Sequence, residues 1–323
     1  MCATAAPPSR ADDDSWQPCE TAAIEHGELA ALFRDNSNSP RVLSGVGALF
    51  NVRHAPGFDA FDPDSPGASA GLNFEHIIAG HASKNNRFAP RHQKYALARA
   101  ADRPVVRLVR DERDDPWRVS STLVYTLVEP YYIDLEFRCR ARDASLFGER
   151  RYAVFFFANY MNDVDQIALN FLGHERAGDR EHWIAADAPA GHADYNGGGT
   201  YRHIDAPPLE YDADHDFKLN LWSYDWPRFT KPFYFGRAAH GMTLIMMFDK
   251  TYDDDEIRMS LFKFKVRKFP RPAFDWQYVI HRVDSEREYG FRARLAWKPF
   301  VDADDCRQEY ERWAAELAGN DDD

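Results

Sequence analysis

The segment Tyr131–Arg140, YYIDLEFRCR, decides the fold class because its side chains alternate strictly in character. Ile133, Leu135, Phe137 and Cys139 would face one way, and the acidic and basic residues between them would face the other. A period of two is that of a β-strand with one face on a core and one in water. The sequence therefore predicts a sheet built around this strand.

Similar patterns recur on both sides of that segment. Tyr152–Tyr160 and Met242–Phe248 are apolar on both faces, which predicts central strands that are covered twice. Ile257–Val266 changes its apolar phase by one residue, which predicts a β-bulge. The acidic run Thr251–Asp255 predicts a hairpin turn. Further strands are predicted at Val42–Val52, Val105–Val109, Ile167–Leu172, Phe217–Tyr224, Trp276–Val283 and Tyr289–Trp297.

Helices are predicted only near the two ends. Near-helical spacing of Ile24, Leu29, Leu32 and Phe33 predicts a short helix over residues 21–35. A second helix is predicted over residues 302–317, with Asp302 as its N-cap. Nine or more strands joined by mostly short turns exclude a βαβ architecture. We predict a mostly β chain, a two-sheet antiparallel sandwich or jelly roll with short terminal helices, for which a large mutarotase-like sandwich is one form.

The composition of the ends sets the expected domain organisation. Residues 1–20 are rich in Pro, Ala and Asp and are expected to form a disordered arm. Residues 21–318 are expected to be one sandwich domain closed by the helix at 302–317, with 319–323 as a tail. The N-terminus lacks the basic and apolar regions of a secretory signal, so a cytoplasmic location is expected.

Charge and cysteine usage exclude several partners. The 323 residues carry 40 basic and 52 acidic side chains, a net charge of −12. No dense basic run would displace counterions from phosphate, and the same charge argues against anionic membrane surfaces, so neither nucleic acid nor membrane is an expected partner. The four cysteines show no CxxC spacing, and His76 and His81 are five residues apart. We therefore expect no metal and no cofactor.

Three segments carry side chains suited to chemistry. The buried strand ends in Asn159 and Tyr160, where a pocket could open. The stretch 174–216, which includes His203, is predicted as a long loop, and long loops are commonly functional. Trp222 begins an aromatic segment that could stack on sugar rings. We expect the three segments to converge on one pocket, whose substrate-binding side chains would be Arg87, His192, Trp222, Tyr224, Trp226, Arg228, Tyr234 and His240.

Four stretches carry a resemblance: Asp275–Tyr278, Phe291–Phe300, Asn159–Asn162 and Pro232–Gly236. On these residues the chain resembles an uncharacterised group of bacterial β-sandwich proteins, over about residues 73–315. The resemblance implies a sugar-handling context. It implies no catalytic residue.

The sequence leads to three functional alternatives. The first is a carbohydrate-active enzyme, a lyase, epimerase or hydrolase, in which His203 or His76 pairs with Tyr160 for acid–base chemistry. Asn159 or Arg87 would neutralise a developing oxyanion. The second is a non-catalytic carbohydrate-binding module, and the third is an interaction protein that uses its aromatic face. The expected partner is a small molecule or oligosaccharide, and a homo-oligomer stays open.

Overall fold

A computed structural model describes residues 16–35, 43–64, 69–80, 89–91, 93–188, 197–213, 222–250, 252–266 and 269–320. Within these ranges the chain forms twenty strands and one α-helix. No helix in the described ranges is both long and apolar enough to cross a membrane.

The elements follow one another in this order along the chain: β1 (Trp16–Cys19), β2 (Thr21–His26), β3 (Leu29–Arg34), β4 (Gly45–Asn51), β5 (Asn73–Ala79), β6 (Ala96–Ala100), β7 (Val105–Arg110), β8 (Val119–Val128), β9 (Tyr132–Ala141), β10 (Ala153–Ala158), β11 (Leu169–His174), β12 (His182–Ala186), β13 (Gly197–Tyr201), β14 (Trp222–Ser223), β15 (Arg228–Phe229), β16 (Phe233–Arg237), β17 (Met242–Phe248), β18 (Asp255–Val266), β19 (Phe269–Ile280), β20 (Glu288–Pro299) and α1 (Ala303–Asn320).

The strands form three sheets. An eleven-stranded sheet has the order β1-β6-β7-β8-β9-β20-β17-β16-β11-β12, with β15 paired to β11. A six-stranded sheet has the order β14-β13-β18-β19-β10-β5, and β2, β3 and β4 form a small third sheet. The pairings are antiparallel, apart from the short parallel pair β13–β14.

An aromatic layer joins the large sheet to the six-stranded sheet. Phe137 on β9 meets Phe157 on β10 edge to face, with ring centroids 5.1 Å apart. Phe157 also stacks on Trp276 of β19 at 5.0 Å, and Trp276 approaches Phe291 of β20 at 6.4 Å. These side chains are at most 2% exposed. Burial of their apolar area provides most of the drive that holds the sandwich together.

Helix α1 lies on the other face of the large sheet. Tyr310 stacks on Phe233 of β16 at 5.0 Å, and Trp313 is buried in the same apolar cluster. The expected cap is present, since Asp302 Oδ1 accepts a hydrogen bond from the Asp305 N–H at 2.7 Å. The six-stranded sheet therefore stands on the opposite side of the molecule from this helix.

The structure confirms the mostly β, antiparallel sandwich. Strand β9 buries Ile133, Leu135, Phe137 and Cys139 and leaves the residues between them more exposed. Strands β10 and β17 are buried along their whole lengths, as their apolar faces predicted. The C-terminal helix is also present.

The predicted N-terminal helix is wrong, because residues 21–34 form the hairpin β2–β3. Strand β3 buries Leu29, Ala31 and Phe33, which is a period of two. Ile24 and Leu32 are only partly buried, so these two apolar residues do not follow the two-residue period of the buried positions and give the sequence a near-helical spacing. Gly27, at φ +58°, makes the turn. Residues 16–19 of the expected disordered arm form β1 and pair with β6, and residues 1–15 lie outside the described residues.

Three further expectations about the strands fail. The β-bulge is absent, because β18 and β19 pair in one continuous register from Asp255–Ile280 to Val266–Phe269. Residues 255–261 of β18 are buried on both faces, and the side chains of residues 264–266 lie outside the described ones. The segment after β17 was predicted to be a hairpin turn, but it connects β17 of the eleven-stranded sheet to β18 of the six-stranded sheet. The predicted long loop at 174–216 contains β12 and β13, and the predicted strand at Phe217–Tyr224 lies mostly outside the described residues.

We predict that Gly27→Ala destabilises the protein by about 2 kcal/mol. An L-residue is strained at this positive φ, and the added Cβ would lie 2.6 Å from the Pro130 carbonyl oxygen. Urea unfolding would measure the change. Gly57→Ala is the matched control, since a Cβ there meets nothing within 4 Å. A helix at this position would give the opposite sign, because alanine favours helices over glycine.

We predict that Glu309 on α1 makes the protein sensitive to acid. Burial alone would raise the pKa of Glu309, but hydrogen bonds from Lys298 and Tyr132 outweigh it and hold this pKa at about 2. A depressed carboxyl pKa stabilises the fold above the unfolded value, and that stability disappears as the pH falls from about 5 to 2. We expect a loss of about 1–2 kcal/mol after allowance for solvent screening.

The comparison that isolates this effect is Glu309→Gln against Glu311→Gln. Glu311 forms an exposed ion pair with Arg307 on the same helix, 2.7 Å apart. We expect Glu309→Gln to lower the free energy of unfolding at pH 7 and to flatten its dependence on acid, while Glu311→Gln changes neither by more than about 0.5 kcal/mol. Identical acid profiles for Glu309→Gln and the unmodified protein would contradict the assignment.

Candidate functional site

The outer face of the six-stranded sheet is polar and yet buried. On β18, Glu256, Arg258 and Ser260 point away from the aromatic layer, and on β19 Asp275 and Gln277 do the same. All five are at most 2% exposed. A polar group removed from water costs free energy unless it is paired. A face that keeps so many of them is therefore a candidate for binding a polar ligand.

Strand register aligns several of these side chains in a row. Arg258 is opposite Gln277, Gln277 is opposite Phe156 on β10, and Phe156 is opposite His76 on β5. Four neighbouring strands span about 14 Å at the usual spacing of ~4.8 Å. The His76 ring stacks on Phe156 with centroids 4.7 Å apart. The row thus crosses the sheet with a cation at one end and an imidazole at the other.

A buried carboxylate, phenol and guanidinium meet beside His76. Tyr160, which follows the end of β10, donates a hydrogen bond to Glu75 Oε1 at 2.5 Å. Arg91 contacts the same carboxylate oxygen, and its Nη1 lies 3.5 Å from the Tyr160 hydroxyl. Glu75 is 2% and Tyr160 8% exposed. We call Glu75, Tyr160 and Arg91 the Glu75–Tyr160 cluster.

Burial sets the protonation states around this cluster. Burial and the neighbouring Glu75 raise the pKa of Tyr160 well above its ordinary value. Burial, followed by repulsion from Glu75, raises the pKa of Asp275 well above its ordinary value. Burial lowers the pKa of His76 to about 4. Near pH 7 the site therefore combines a protonated phenol with a neutral imidazole.

Asn159 positions the end of β10. Its Oδ1 accepts a hydrogen bond from the Leu72 N–H at 2.8 Å, and its Nδ2 donates to the Phe274 carbonyl at 2.9 Å. Its backbone N–H donates to Asp275 Oδ1 at 3.1 Å. These bonds tie β10 to β19 and to the residue before β5. Among the described residues, the cation that contacts Tyr160 is Arg91.

A second charged group lies at the other side of the same face. Arg202 follows β13 and donates from Nη2 to Asp225 Oδ1 at 2.8 Å. Arg258 donates to Glu256 Oε1 at 2.6 Å from Nη2, and His281 Nε2 lies 3.2 Å from that oxygen. Arg202, Arg258 and Glu256 are at most 2% exposed. This group is called the Arg202–Arg258 group below.

The topology is incompatible with the expected pairing of His203 and Tyr160. Each successive pair among β13, β18, β19 and β10 is antiparallel, so β13 and β10 run in opposite directions. His203 follows β13 and Tyr160 follows β10, which places them at opposite ends of the sheet and on strands about 14 Å apart. His203 Nε2 instead lies 3.3 Å from the Thr230 carbonyl oxygen. The three expected segments therefore do not converge on one pocket.

The expected substrate-binding side chains lie in several places. Tyr234 is buried in the aromatic core, where its hydroxyl donates to the Phe274 carbonyl at 3.0 Å. Tyr224 stacks on Tyr201 at 5.5 Å. The His240 ring packs on Phe58 at 4.6 Å. Arg228 lies over Trp226 at 5.1 Å, close to the Arg202–Arg258 group. Arg87, His192 and the side chain of Trp222 lie outside the described parts of the chain.

Of the row formed by Arg258, Gln277, Phe156 and His76, only His76 was predicted from the sequence as a site residue. In the stretches around Arg258 and Gln277, polar and apolar residues alternate as they do in a strand with one face in water. The outer face of the six-stranded sheet is buried by parts of the chain that are distant in sequence. Leu209 and Tyr211, for example, pack beside Val154 and Val279 on this sheet. The available signal was the mixture of Arg, Gln and Asp with large aromatic residues in neighbouring strands. Neither Glu75 nor Arg91 is among the site residues predicted from the sequence.

The described residues contain no group of three or more His, Cys, Asp or Glu side chains arranged to hold a metal ion. The Glu75–Tyr160 cluster contributes one carboxylate together with a phenol and a cation. A phenol hydrogen-bonded to a carboxylate is a group that can donate or accept a proton.

Comparisons with known proteins find similarity among solved structures. No protein-family model and no curated protein matches the chain. Among solved structures, a mutant of heparan sulfate lyase HepC from Pedobacter heparinus is similar over 88% of this chain at 9% identity, with a TM-score of 0.43. A second structure of that lyase is similar over 85% at 9% identity, with a TM-score of 0.40. The match spans about a third of the lyase, 35% and 34% of its chain respectively.

We predict that buried His76 makes the protein lose stability in mild acid. Above the unfolded pKa near 6.5 the ring is neutral in both the folded and the unfolded state, so its titration does not affect stability. As the pH falls from there towards 4, the unfolded state binds a proton that the buried ring does not, and the fold loses stability. The expected loss is about 3 kcal/mol between pH 7 and 4. Urea unfolding at several pH values would measure it.

His76→Gln removes the titrating ring and should lose correspondingly less stability over this pH interval. His182→Gln replaces a histidine whose side chain is 45% exposed and serves as the control, with an acid profile like that of the unmodified protein. If His76→Gln and the unmodified protein lost the same free energy between pH 7 and 4, His76 would not be the group responsible.

Proposed function

We propose that the protein is a carbohydrate-active enzyme, a lyase, epimerase or hydrolase, whose acid–base chemistry occurs at the Glu75–Tyr160 cluster. The observation that carries the proposal is the 2.5 Å hydrogen bond from the Tyr160 hydroxyl to Glu75, with Arg91 beside both. A phenol held by a carboxylate and a guanidinium at the end of a rigid central strand is well placed to exchange a proton with a substrate.

A sugar substrate fits the chemistry of the polar row. Sugars present hydroxyl groups that need hydrogen-bond donors and acceptors, and the row offers both through Arg258, Gln277 and Asp275. Sugars also present apolar C–H faces that pack on rings, and Phe156 and Tyr160 supply such surfaces in the same region. A polyhydroxylated ligand can exchange hydrogen bonds with such groups, whereas a nonpolar ligand cannot.

The proposed proton transfers need two groups with opposite tasks. Tyr160 is protonated near pH 7. In a lyase or hydrolase it would donate to the oxygen of the bond that breaks, which leaves with the bonding electrons. In an epimerase it would donate to the carbon that lost its proton, from the opposite face. His76 is neutral and would accept a proton, either from carbon in a lyase or epimerase or from water in a hydrolase. Arg91 would stabilise the phenolate that Tyr160 becomes. The proton on His76 would return to Tyr160 through solvent.

We predict that Tyr160→Phe lowers kcat by about 100-fold or more, because it removes the acid and leaves the ring in place. The assay would use heparan sulfate, polygalacturonate and a panel of nitrophenyl glycosides, with ultraviolet absorbance detecting unsaturated sugars and released nitrophenol. Reducing-sugar formation would detect hydrolysis of the polysaccharides. Circular dichroism and thermal unfolding would check that the variant folds.

Tyr234→Phe is the matched control for the loss of a buried tyrosine hydroxyl. Its hydroxyl bonds to the Phe274 carbonyl in the core, so we expect unchanged turnover and a loss of about 1 kcal/mol in the free energy of unfolding. Equal turnover by Tyr160→Phe and the unmodified protein would refute the catalytic role of Tyr160. Saturable binding of these saccharides without any turnover would instead favour the non-catalytic binding module.

A further inference from the structure

Arg202 is a buried cation with an incomplete set of partners. Its side chain is 2% exposed, and its Nε has no hydrogen-bond partner in the part of the chain that is described. Its ion-pair partner, Asp225, is 84% exposed and therefore largely screened by water. Buried arginines are normally paired and hydrogen-bonded, so the unfilled donor points to a missing anionic partner.

Two further arginines lie close to Arg202. Arg258 directs Nε and Nη2 at Glu256, which leaves other N–H donors of its guanidinium outside that ion pair. Arg228 is held by backbone carbonyls, at 3.0 Å from Ile204 and 3.1 Å from Ala206. Burial, and then repulsion from Arg228 and Arg258, lowers the pKa of Arg202. Within the described residues, these three cations are paired with one buried carboxylate, Glu256, and one exposed carboxylate, Asp225.

Opposing charges in this region do not neutralise the cations fully. Glu256 is 0% exposed, accepts from Arg258 and lies 3.2 Å from His281 Nε2, so its charge is already shared. Asp225 is the carboxylate that reaches Arg202, and it does so from the surface. An incoming anion would pair with Arg202 in a buried setting, where a charge-assisted hydrogen bond is strong.

We infer that Arg202 and Arg258 form an anion subsite that binds a carboxylate or sulfate group of an acidic oligosaccharide. Planar guanidinium groups match both anions through paired hydrogen bonds. The subsite lies on the same sheet face as the Glu75–Tyr160 cluster, at the far end of the row through Gln277 and Phe156. Arg258 is three strand spacings, about 14 Å, from β5, and Arg202, which follows β13, is one spacing further. The subsite therefore contacts a sugar unit remote from the reacting one.

This assignment names the substrate class of the proposed enzyme, and its relevance to turnover rests on that proposed function. A remote subsite adds binding energy that can be used in catalysis. The substrate would then be an acidic oligosaccharide or polysaccharide, long enough to reach from Tyr160 to Arg202. Monosaccharides and neutral glycans would lack the anionic contact.

The test measures binding, independently of turnover, in protein that carries Tyr160→Phe. Titration calorimetry would compare three hexasaccharides: oligogalacturonate with carboxylates only, a heparan sulfate fragment with carboxylates and sulfates, and neutral maltohexaose. We expect Arg202→Gln to weaken binding of at least one acidic ligand by about 30-fold or more. The acidic ligand that loses more identifies whether carboxylate or sulfate is preferred, and maltohexaose should be unaffected.

Asp225→Asn gives a second readout of opposite sign and involves only an exposed side chain. Removal of this competing carboxylate should tighten binding of the same acidic ligand about 2- to 5-fold, and added salt should weaken that binding. Arg113→Gln is the control, since Arg113 is 79% exposed and pairs with Asp111 outside the site. Arg113→Gln should leave the affinity for each of the three hexasaccharides unchanged.

Three outcomes would overturn the subsite: no effect of Arg202→Gln on acidic ligands, equal losses for acidic and neutral ligands, or weaker acidic binding in Asp225→Asn. Acidic binding that depends on Arg202 in a protein with no turnover would sustain the subsite and refute the enzyme. Turnover of neutral glycosides that depends on Tyr160, without acidic preference, would sustain the enzyme and refute the subsite.

Discussion

The double burial of β10 is the constraint on which the rest of the structure depends. Its alternate side chains serve two layers: Phe155 and Phe157 enter the aromatic core, while Phe156 lies on the outer face beneath His76. A strand covered on both sides can shift in neither direction without exposing apolar area. The strand therefore fixes Tyr160, just beyond its end, against Glu75 on the neighbouring strand.

The two faces of the six-stranded sheet use burial for different purposes. The inner face is aromatic, and its contacts, such as the stack of Phe157 on Trp276, stabilise the sandwich directly. The outer face buries charge, and this costs free energy wherever pairing is incomplete. Arg258 and Glu256 largely offset that cost for each other, whereas Arg202 does so only through a carboxylate at the surface. Such uneven pairing is expected of a binding face rather than of a packing face.

Helix α1 buries the charge of Glu309 with a complete set of partners. Glu309 accepts hydrogen bonds from Tyr131 and Tyr132 and forms an ion pair with Lys298, so both of its carboxylate oxygens have a partner. The network anchors the helix to the large sheet. Its completeness contrasts with the Arg202–Arg258 group, where the Nε of Arg202 and one oxygen of Glu256 have no hydrogen-bond partner within the described residues.

The sequence by itself determined the class of fold and strands such as β9, β10 and β17, because alternation in β9 and continuous apolar character in β10 and β17 are local consequences of a two-residue period. It misjudged residues 21–35, where partial burial of Ile24 and Leu32 imitated a helical period. Only the tertiary structure decided the site. Strand direction separates His203 from Tyr160, and strand register brings Glu75, Tyr160 and Arg91 together. A single local segment reveals neither, because both depend on which strands pair across long sequence distances. The burial of Arg258 and Gln277 is likewise invisible locally, because an alternating strand reads the same whether its polar face meets water or other parts of the protein.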